Sequence, residues 1–206
     1  MNMKKVALII TPLLTALLCA CSDDSDGVLS RQQTSMTSYL ASTHSPRLIA
    51  EEDLDSSLER YPQYYSTFGQ TAYRYISTLY DDGRNDQPEV EWGDVVEITY
   101  TAYVFEFRNV TAANIYATNE LASIIELQQA GLNTSYEWTT DPLVIELGST
   151  DIIKGIESTL VGCRQGDMVE VYMTFSMAYD DTAIGTVPYQ SPVAWYFSID
   201  KVTKRN

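Results

Sequence analysis

Ile152-Ile153-Lys154-Gly155-Ile156-Glu157-Ser158-Thr159-Leu160 (IIKGIESTL) lies between Gly148 and the turn Cys163-Arg164-Gln165-Gly166-Asp167. It reads as a short apolar helix over 152–162, closed on either side by glycine turns. The segments around it read as strands. Residues 142–148 (PLVIELG) precede it, and 168–175 (MVEVYMTF) and 193–202 (VAWYFSIDKV) follow it. Further upstream, 71–78 (TAYRYIST) alternates and is rich in aromatics. Residues 95–107 (VVEITYTAYVFEF) place Val96, Ile98, Tyr100 and Ala102 on one face. Strands with long connections and one central helix predict an antiparallel α+β domain rather than a βαβ alternation.

Between these strands the signals are weaker. Residues 116–119 read as a short irregular piece. Residues 119–131 (NELASIIELQQAG) predict a helix with Leu121, Ile124 and Ile125 on a shared face and Gly131 as its stop. Residues 132–142 and 176–192 read as loops. Near the N-terminus, 29–42 places Leu29, Met36, Tyr39 and Leu40 near one helical face, predicting a short amphipathic helix. Ser45-Pro46 and Glu51-Glu52-Asp53 mark loop.

The first twenty residues predict a secretory signal: Lys4 and Lys5, an apolar run from Val6 to Leu18, and a small residue before Cys21. The run is too short to span a bilayer, which needs about 20 residues. The ending Leu18-Cys19-Ala20-Cys21 resembles the lipobox of bacterial lipoproteins, which implies acylation of Cys21. Ser22 after the cysteine implies an outer-membrane lipoprotein of a Gram-negative bacterium, surface-exposed or facing the periplasm. Residues 21–28 read as an acidic tether, similar to that of surface-exported lipoproteins or else a plain solvated linker. The expected organisation is therefore a signal over 1–20, the tether, a helical and loop appendage over 29–70, and a domain over 71–206.

Charge and composition exclude much. The formal net charge is −15, and loss of Lys4 and Lys5 with the signal takes it to −17. That argues against nucleic acid and anionic lipid as partners, because both are bound through Lys and Arg. His44 is the sole histidine, so a zinc cluster or a His-based nucleophile device has little support. No calcium-loop pattern is present, and no cofactor or metal is expected. With Cys21 lipidated, Cys163 has no disulfide partner and reads as a small core residue. The oligomeric state is left open.

In their order, Gly93-Asp94-Val95-Val96, Tyr100-Thr101, Leu147-Gly148, Ile152-Ile153-Lys154-Gly155, Gly166-Asp167, Ala178-Tyr179 and Val187-Pro188 resemble the FKBP domain of tacrolimus-binding prolyl cis/trans isomerases. The resemblance covers about residues 71–202. It implies a twisted antiparallel sheet curled around a short helix, here IIKGIESTL, whose N-terminal end lines an apolar pocket for a prolyl ring of a polypeptide substrate. It also implies site residues. Tyr100 matches the pocket-wall tyrosine, and Tyr116 stands where the family has phenylalanine. Leu143 and Trp195 replace phenylalanines. Ile152 and Ile153 match an aliphatic pair, with the Ile153 N–H donating to a substrate carbonyl. Ile156 stands at the tryptophan floor, and Tyr179 matches the tyrosine whose hydroxyl bonds substrate. Tyr100, Tyr116, Ile153 and Tyr179 are the expected catalytic set, and Leu143, Ile152, Ile156 and Trp195 the expected substrate-binding set.

Four departures from the family bear most on the site. Ala117 stands where a carboxylate is usual, Ile156 is smaller than tryptophan, Asp180 replaces a glycine, and 119–141 is an insertion. Taken singly, the aromatic and aliphatic residues suit the core of any sheet-on-helix domain; only their shared order points to a site. The function expected is a membrane-anchored prolyl isomerase acting on exported or envelope proteins. The alternative is a catalytically weak or inactive FKBP-like lipoprotein that binds peptides or proteins, and a surface scaffold is a third reading.

Overall fold

The computed structural model describes residues 23–55, 62–133 and 135–205. The signal peptide expected over 1–20 and Cys21 lie outside the described residues. The helices are α1 (Asp23–Ser42), α2 (Leu121–Gln129) and α3 (Lys154–Leu160). The strands are β1 (Ile49–Ala50), β2 (Tyr64–Phe68), β3 (Ala72–Ile76), β4 (Val95–Val104), β5 (Ile115–Thr118), β6 (Leu143–Glu146), β7 (Met168–Met173) and β8 (Val193–Thr203). They form one sheet in the order β1-β2-β3-β7-β8-β4-β5, with β6 also on β4. Only β1–β2 is parallel.

Period-two alternation gives the sheet two apolar faces. Val169, Val171 and Met173 of β7 and Ala72 and Ile76 of β3 join the core that holds Ile156 and Leu160 of α3. The intervening Tyr172, Tyr73 and Tyr75 point to the other face and pack with Met36, Tyr39 and Leu40 of α1. The short helix thus sits on one side of the sheet and the long one on the other. Arg74 ties the first layer together: its Nη1 donates to the carbonyls of Thr159 and Val161, at 2.6 and 2.7 Å. A cation there complements the negative end of α3. Cys163 is fully buried in this core, as expected, and burial pushes its thiol up to about 11.

Both Gly-Asp turns have the same construction. Gly93 and Gly166 adopt φ of +88°, a conformation that disfavours a Cβ. Each following aspartate is buried and folds back to accept a backbone N–H: Asp94 from Glu91 at 2.8 Å, Asp167 from Arg164 at 2.7 Å. Each also meets a cation. Lys204 Nζ lies 2.7 Å from Asp94, and Arg84 donates two hydrogen bonds to Asp167 at 2.6 and 2.7 Å. These two carboxylates hold turns.

Four expectations are corrected. The stretch expected as an irregular piece at 116–119 falls mostly in β5, whose backbone pairs with β4 from Thr101 to Tyr103. The tether expected over 21–28 is helical from Asp23, continuous with the helix expected at 29. Asp26 in that first turn suits the positive end of a helix. The loop expected before residue 71 contains β1 and β2, and β2 pairs with β3 from Tyr65 to Phe68, so the sheet begins inside the expected appendage. Finally, α2 buries Ser123, Ile124 and Leu127 and leaves Leu121 and Ile125 exposed. Its rotation is set by Ser123, whose hydroxyl lies 2.9 Å from the Thr101 hydroxyl and donates to Glu120 at 2.6 Å.

Candidate active site

β4 carries two partners in succession along one edge. β6 pairs with Val95–Ile98 and β5 with Thr101–Tyr103. The chain between them, 119–141, leaves the edge where Tyr100 stands. Asn119 closes this junction. Its Oδ1 accepts the Tyr100 N–H at 2.6 Å, and its Nδ2 donates to the carbonyls of Ile98 and Asp141, each at 3.0 Å. One buried side chain therefore holds both ends of the insertion to the strand.

Tyr100 stacks on Trp195 of β8, with ring centroids 4.6 Å apart and planes 9° from parallel. The Trp195 Nε1–H donates to the Tyr116 hydroxyl at 2.6 Å, and the Tyr179 hydroxyl donates to the same oxygen at 3.2 Å. A hydroxyl has two acceptor positions and one donor hydrogen. With both acceptor positions of Tyr116 taken, its hydrogen is the one left to give. Burial pushes the Tyr116 phenol well above the ordinary tyrosine range and raises Tyr179 and Tyr100 as well. These hydroxyls therefore remain protonated donors at neutral pH.

Tyr179 sits in a turn built by the backbone. The Phe175 carbonyl accepts the N–H groups of Ala178 and Asp180, at 3.0 and 2.8 Å. Asp180 takes φ of +52°, a left-handed conformation that aspartate tolerates better than most residues, at the position where the family pattern has glycine. Gln32 of α1 holds this loop from outside. Its Oε1 accepts the Phe175 N–H at 2.9 Å and its Nε2 donates to the Gln190 carbonyl at 2.8 Å.

The start of α3 lies beside the same turn. A Cβ at Gly155 would stand 2.1 Å from Met173 Sδ and 3.0 Å from the Met177 carbonyl, so only glycine allows this approach. Ile153 is the N-cap residue; its carbonyl accepts from Ile156 and Glu157. Its own N–H has no acceptor among the described residues. Ile152, Ile153 and Leu143 are half-buried at the rim of the core shared with Tyr100, Tyr116 and Tyr179. Ile156 is completely buried and presents no surface; it supports the site from beneath.

A model of the FKBP-type peptidyl-prolyl cis-trans isomerase family matches residues 87–199, more than half of the chain. The chain belongs to that family. A comparison with curated proteins found no match. The FKBP match spans β4 to β8, so every residue of the tyrosine–tryptophan network falls within it. α1 and β1 to β3 fall outside it. The activity of this FKBP domain is peptidyl-prolyl cis-trans isomerisation. Ala117 follows Tyr116 on β5, and no carboxylate among the described residues hydrogen-bonds to the network. Gln32 and Asn119 carry no motif and escape a reading of the sequence. The partners of Gln32 lie 143 and 158 residues away.

Proposed function

We propose that this chain is a lipid-anchored peptidyl-prolyl isomerase that acts on exported or envelope polypeptides through the apolar site around Tyr100, Tyr116, Ile153 and Tyr179. The observation that carries the catalytic part is the pair of unspent donors, the Tyr116 O–H and the Ile153 N–H, on an aromatic and aliphatic rim.

The chemistry needs little more. The obstacle is rotation about a partly double C–N bond, about 18–20 kcal/mol. No bond to the substrate is made or broken, so neither nucleophile nor base is required. The twisted amide loses conjugation, and a site that binds it better than the planar form lowers the barrier. Each 1.36 kcal/mol of that preference is about tenfold in rate. Tyr116 and Ile153 donate to carbonyls flanking the prolyl bond, and Leu143, Ile152 and Trp195 enclose the ring above Ile156. Tyr179 acts through Tyr116, whose lone pair it occupies.

The test is turnover of proline-containing peptides by the full chain in detergent micelles. Acceleration above the spontaneous rate, reduced by Tyr116→Phe, is expected. Folded protein with no acceleration leaves the alternative, a binding module, for which the missing carboxylate at Ala117 speaks.

The anchor rests on Leu18-Cys19-Ala20-Cys21. No helix among the described residues is long and apolar enough to cross a membrane. Acyl chains at Cys21 contribute about 0.8 kcal/mol per buried CH₂, and more than one chain gives stable attachment. We place the protein in the outer membrane of a Gram-negative bacterium. Incorporation of a labelled fatty acid that Cys21→Ser abolishes is expected. Equal labelling of both forms, or none of either, would reject the anchor. Protease treatment of intact cells reads which membrane face it occupies.

A further inference from the structure

The insertion makes a concavity beside the candidate site. A groove of about 270 Å³ runs between Tyr100 and Leu143 on one side and Tyr136, Glu137, Trp138 and Asp141 on the other. Tyr100 and Leu143 belong equally to the rim of the core beneath the active site, so the groove continues that site rather than forming a separate one. Tyr136 is 64% exposed, and its ring stands 4.4 Å from that of Trp138, tilted by 43°. The Tyr136 ring faces solvent and the Trp138 ring is half-buried, beside two carboxylates.

Those carboxylates have no cation of their own. Neither Glu137 nor Asp141 forms an ion pair among the described residues. From Asn109 to Ile153 the sequence holds six acidic residues and no Lys, Arg or His. Unlike these two, Asp94, Asp167, Glu89, Glu97 and Glu146 each meet a Lys or Arg. The groove thus combines π faces, unneutralised negative charge and an anchored base, since Asn119 holds both ends of the insertion to β4. A cationic side chain with an alkyl stem matches all three features: its stem packs on the rings, its head meets the ring faces and the carboxylates.

We propose that this groove is a specificity subsite that receives a lysine or arginine flanking the proline of the substrate polypeptide. The proposal rests on the active-site reading above and adds the class of substrate. Charge steers such segments toward the groove, and the effect falls with salt.

The probes are proline peptides carrying one lysine at successive positions on either side of the proline, each paired with its norleucine counterpart. The full chain in detergent micelles is compared with the E137Q/D141N variant and with Trp138→Ala. Turnover and peptide affinity by calorimetry are both measured, at low and high salt. At one position or more, the lysine peptide is expected to exceed its norleucine partner by about tenfold at low salt. The advantage should shrink to within about twofold in E137Q/D141N and at high salt, while the norleucine peptides stay unchanged. Equal treatment of lysine and norleucine at every position, or a preference for norleucine, overturns the subsite. If norleucine peptides are still turned over, the isomerase reading stands without it. If no peptide is turned over but lysine is preferred in affinity, the subsite stands and the isomerase reading fails. If neither turnover nor binding is seen, both fall.

Discussion

The side chain of Gln32 accepts the backbone N–H of Phe175 at 2.9 Å, across 143 residues of sequence. Phe175 in turn receives the amides on either side of Tyr179. A helix outside the family match thus holds a turn inside it. Gln32→Leu leaves the buried Phe175 N–H without this partner, at a cost of about 1–3 kcal/mol, and frees the half-buried Gln190 carbonyl. Denaturant unfolding should show the loss, and kcat/KM should fall about threefold to tenfold below 25 °C, where the variant remains folded. Gln32→Glu restores the acceptor alone and should recover part of the activity. Unchanged turnover in Gln32→Leu would show that α1 does not act on the Tyr179 turn.

Gly155 is the point of closest approach between α3 and the sheet. Gly155→Ala must displace Met173 Sδ and press on the Met177 carbonyl. Overpacking of this kind costs about 1–3 kcal/mol. Met173→Val in the same chain should recover much of it, giving a non-additive double-mutant cycle. Additive losses, measured by denaturant midpoint, would mean the contact is not shared.

The two tyrosines of the network make different predictions. Tyr116→Phe removes the acceptor of Trp195 and Tyr179 together with the free donor. Stability should fall by about 1–3 kcal/mol, and kcat by about tenfold or more. Tyr179→Phe removes one donation and leaves the Trp195–Tyr116 bond, so it should cost less on both measures. A Tyr179→Phe variant more impaired than Tyr116→Phe in a peptide assay would reverse the assignment of the free donor.

His44 titrates against α1's side of the sheet. Burial alone would lower its pKa, but the Glu170 carboxylate at 2.8 Å and the Pro46 carbonyl outweigh it, and the net shift is upward. Both ring nitrogens face acceptors, which favours the imidazolium. A raised folded pKa means the contribution is complete below the unfolded value of about 6.5 and is lost as pH rises through the folded value. Stability of the wild type should therefore decline across that window relative to His44→Gln. Parallel pH profiles of the two proteins would remove His44 as the cause.

Asp94 has the opposite sign. Burial opposes its ionisation, yet the Lys204 hydrogen bond and the Glu91 and Arg205 amides prevail, and its pKa is lowered. Its contribution is present above the unfolded value of about 3.9 and is lost as pH falls through the folded one. Asp94→Asn should flatten the acid limb of the stability curve while lowering stability at pH 7. An unaltered acid limb would place the acid sensitivity elsewhere.

The strands around IIKGIESTL were legible because each alternates strongly and because turn glycines frame them. β7 illustrates this: Val169, Val171 and Met173 face one way and Tyr172 the other. β2 and β5 were not, since Tyr64–Phe68 (YYSTF) and Ile115–Thr118 (IYAT) do not alternate apolar with polar residues. The rotation of α2 was misread for a related reason. Leu121 and Ile125 are apolar but exposed, and the polar contacts of Ser123 and Glu120 with Thr101 decide the buried face. Hydropathy alone does not register those contacts.

By itself the sequence determined the alternation that builds a two-faced sheet, the glycines that permit its turns and the order of residues that marks the family. The first two are local properties, written in near neighbours along the chain, and the third is an order of such local motifs. Only the tertiary structure decided that Tyr116 spends its lone pairs on Trp195 and Tyr179 and keeps its hydrogen, that Gln32 holds the loop bearing Tyr179, and that Asn119 fastens the insertion beside Tyr100. Each of these is a hydrogen bond whose partners are brought together by strand pairing and packing. A hydrogen bond's direction and distance exist only once the chain has closed.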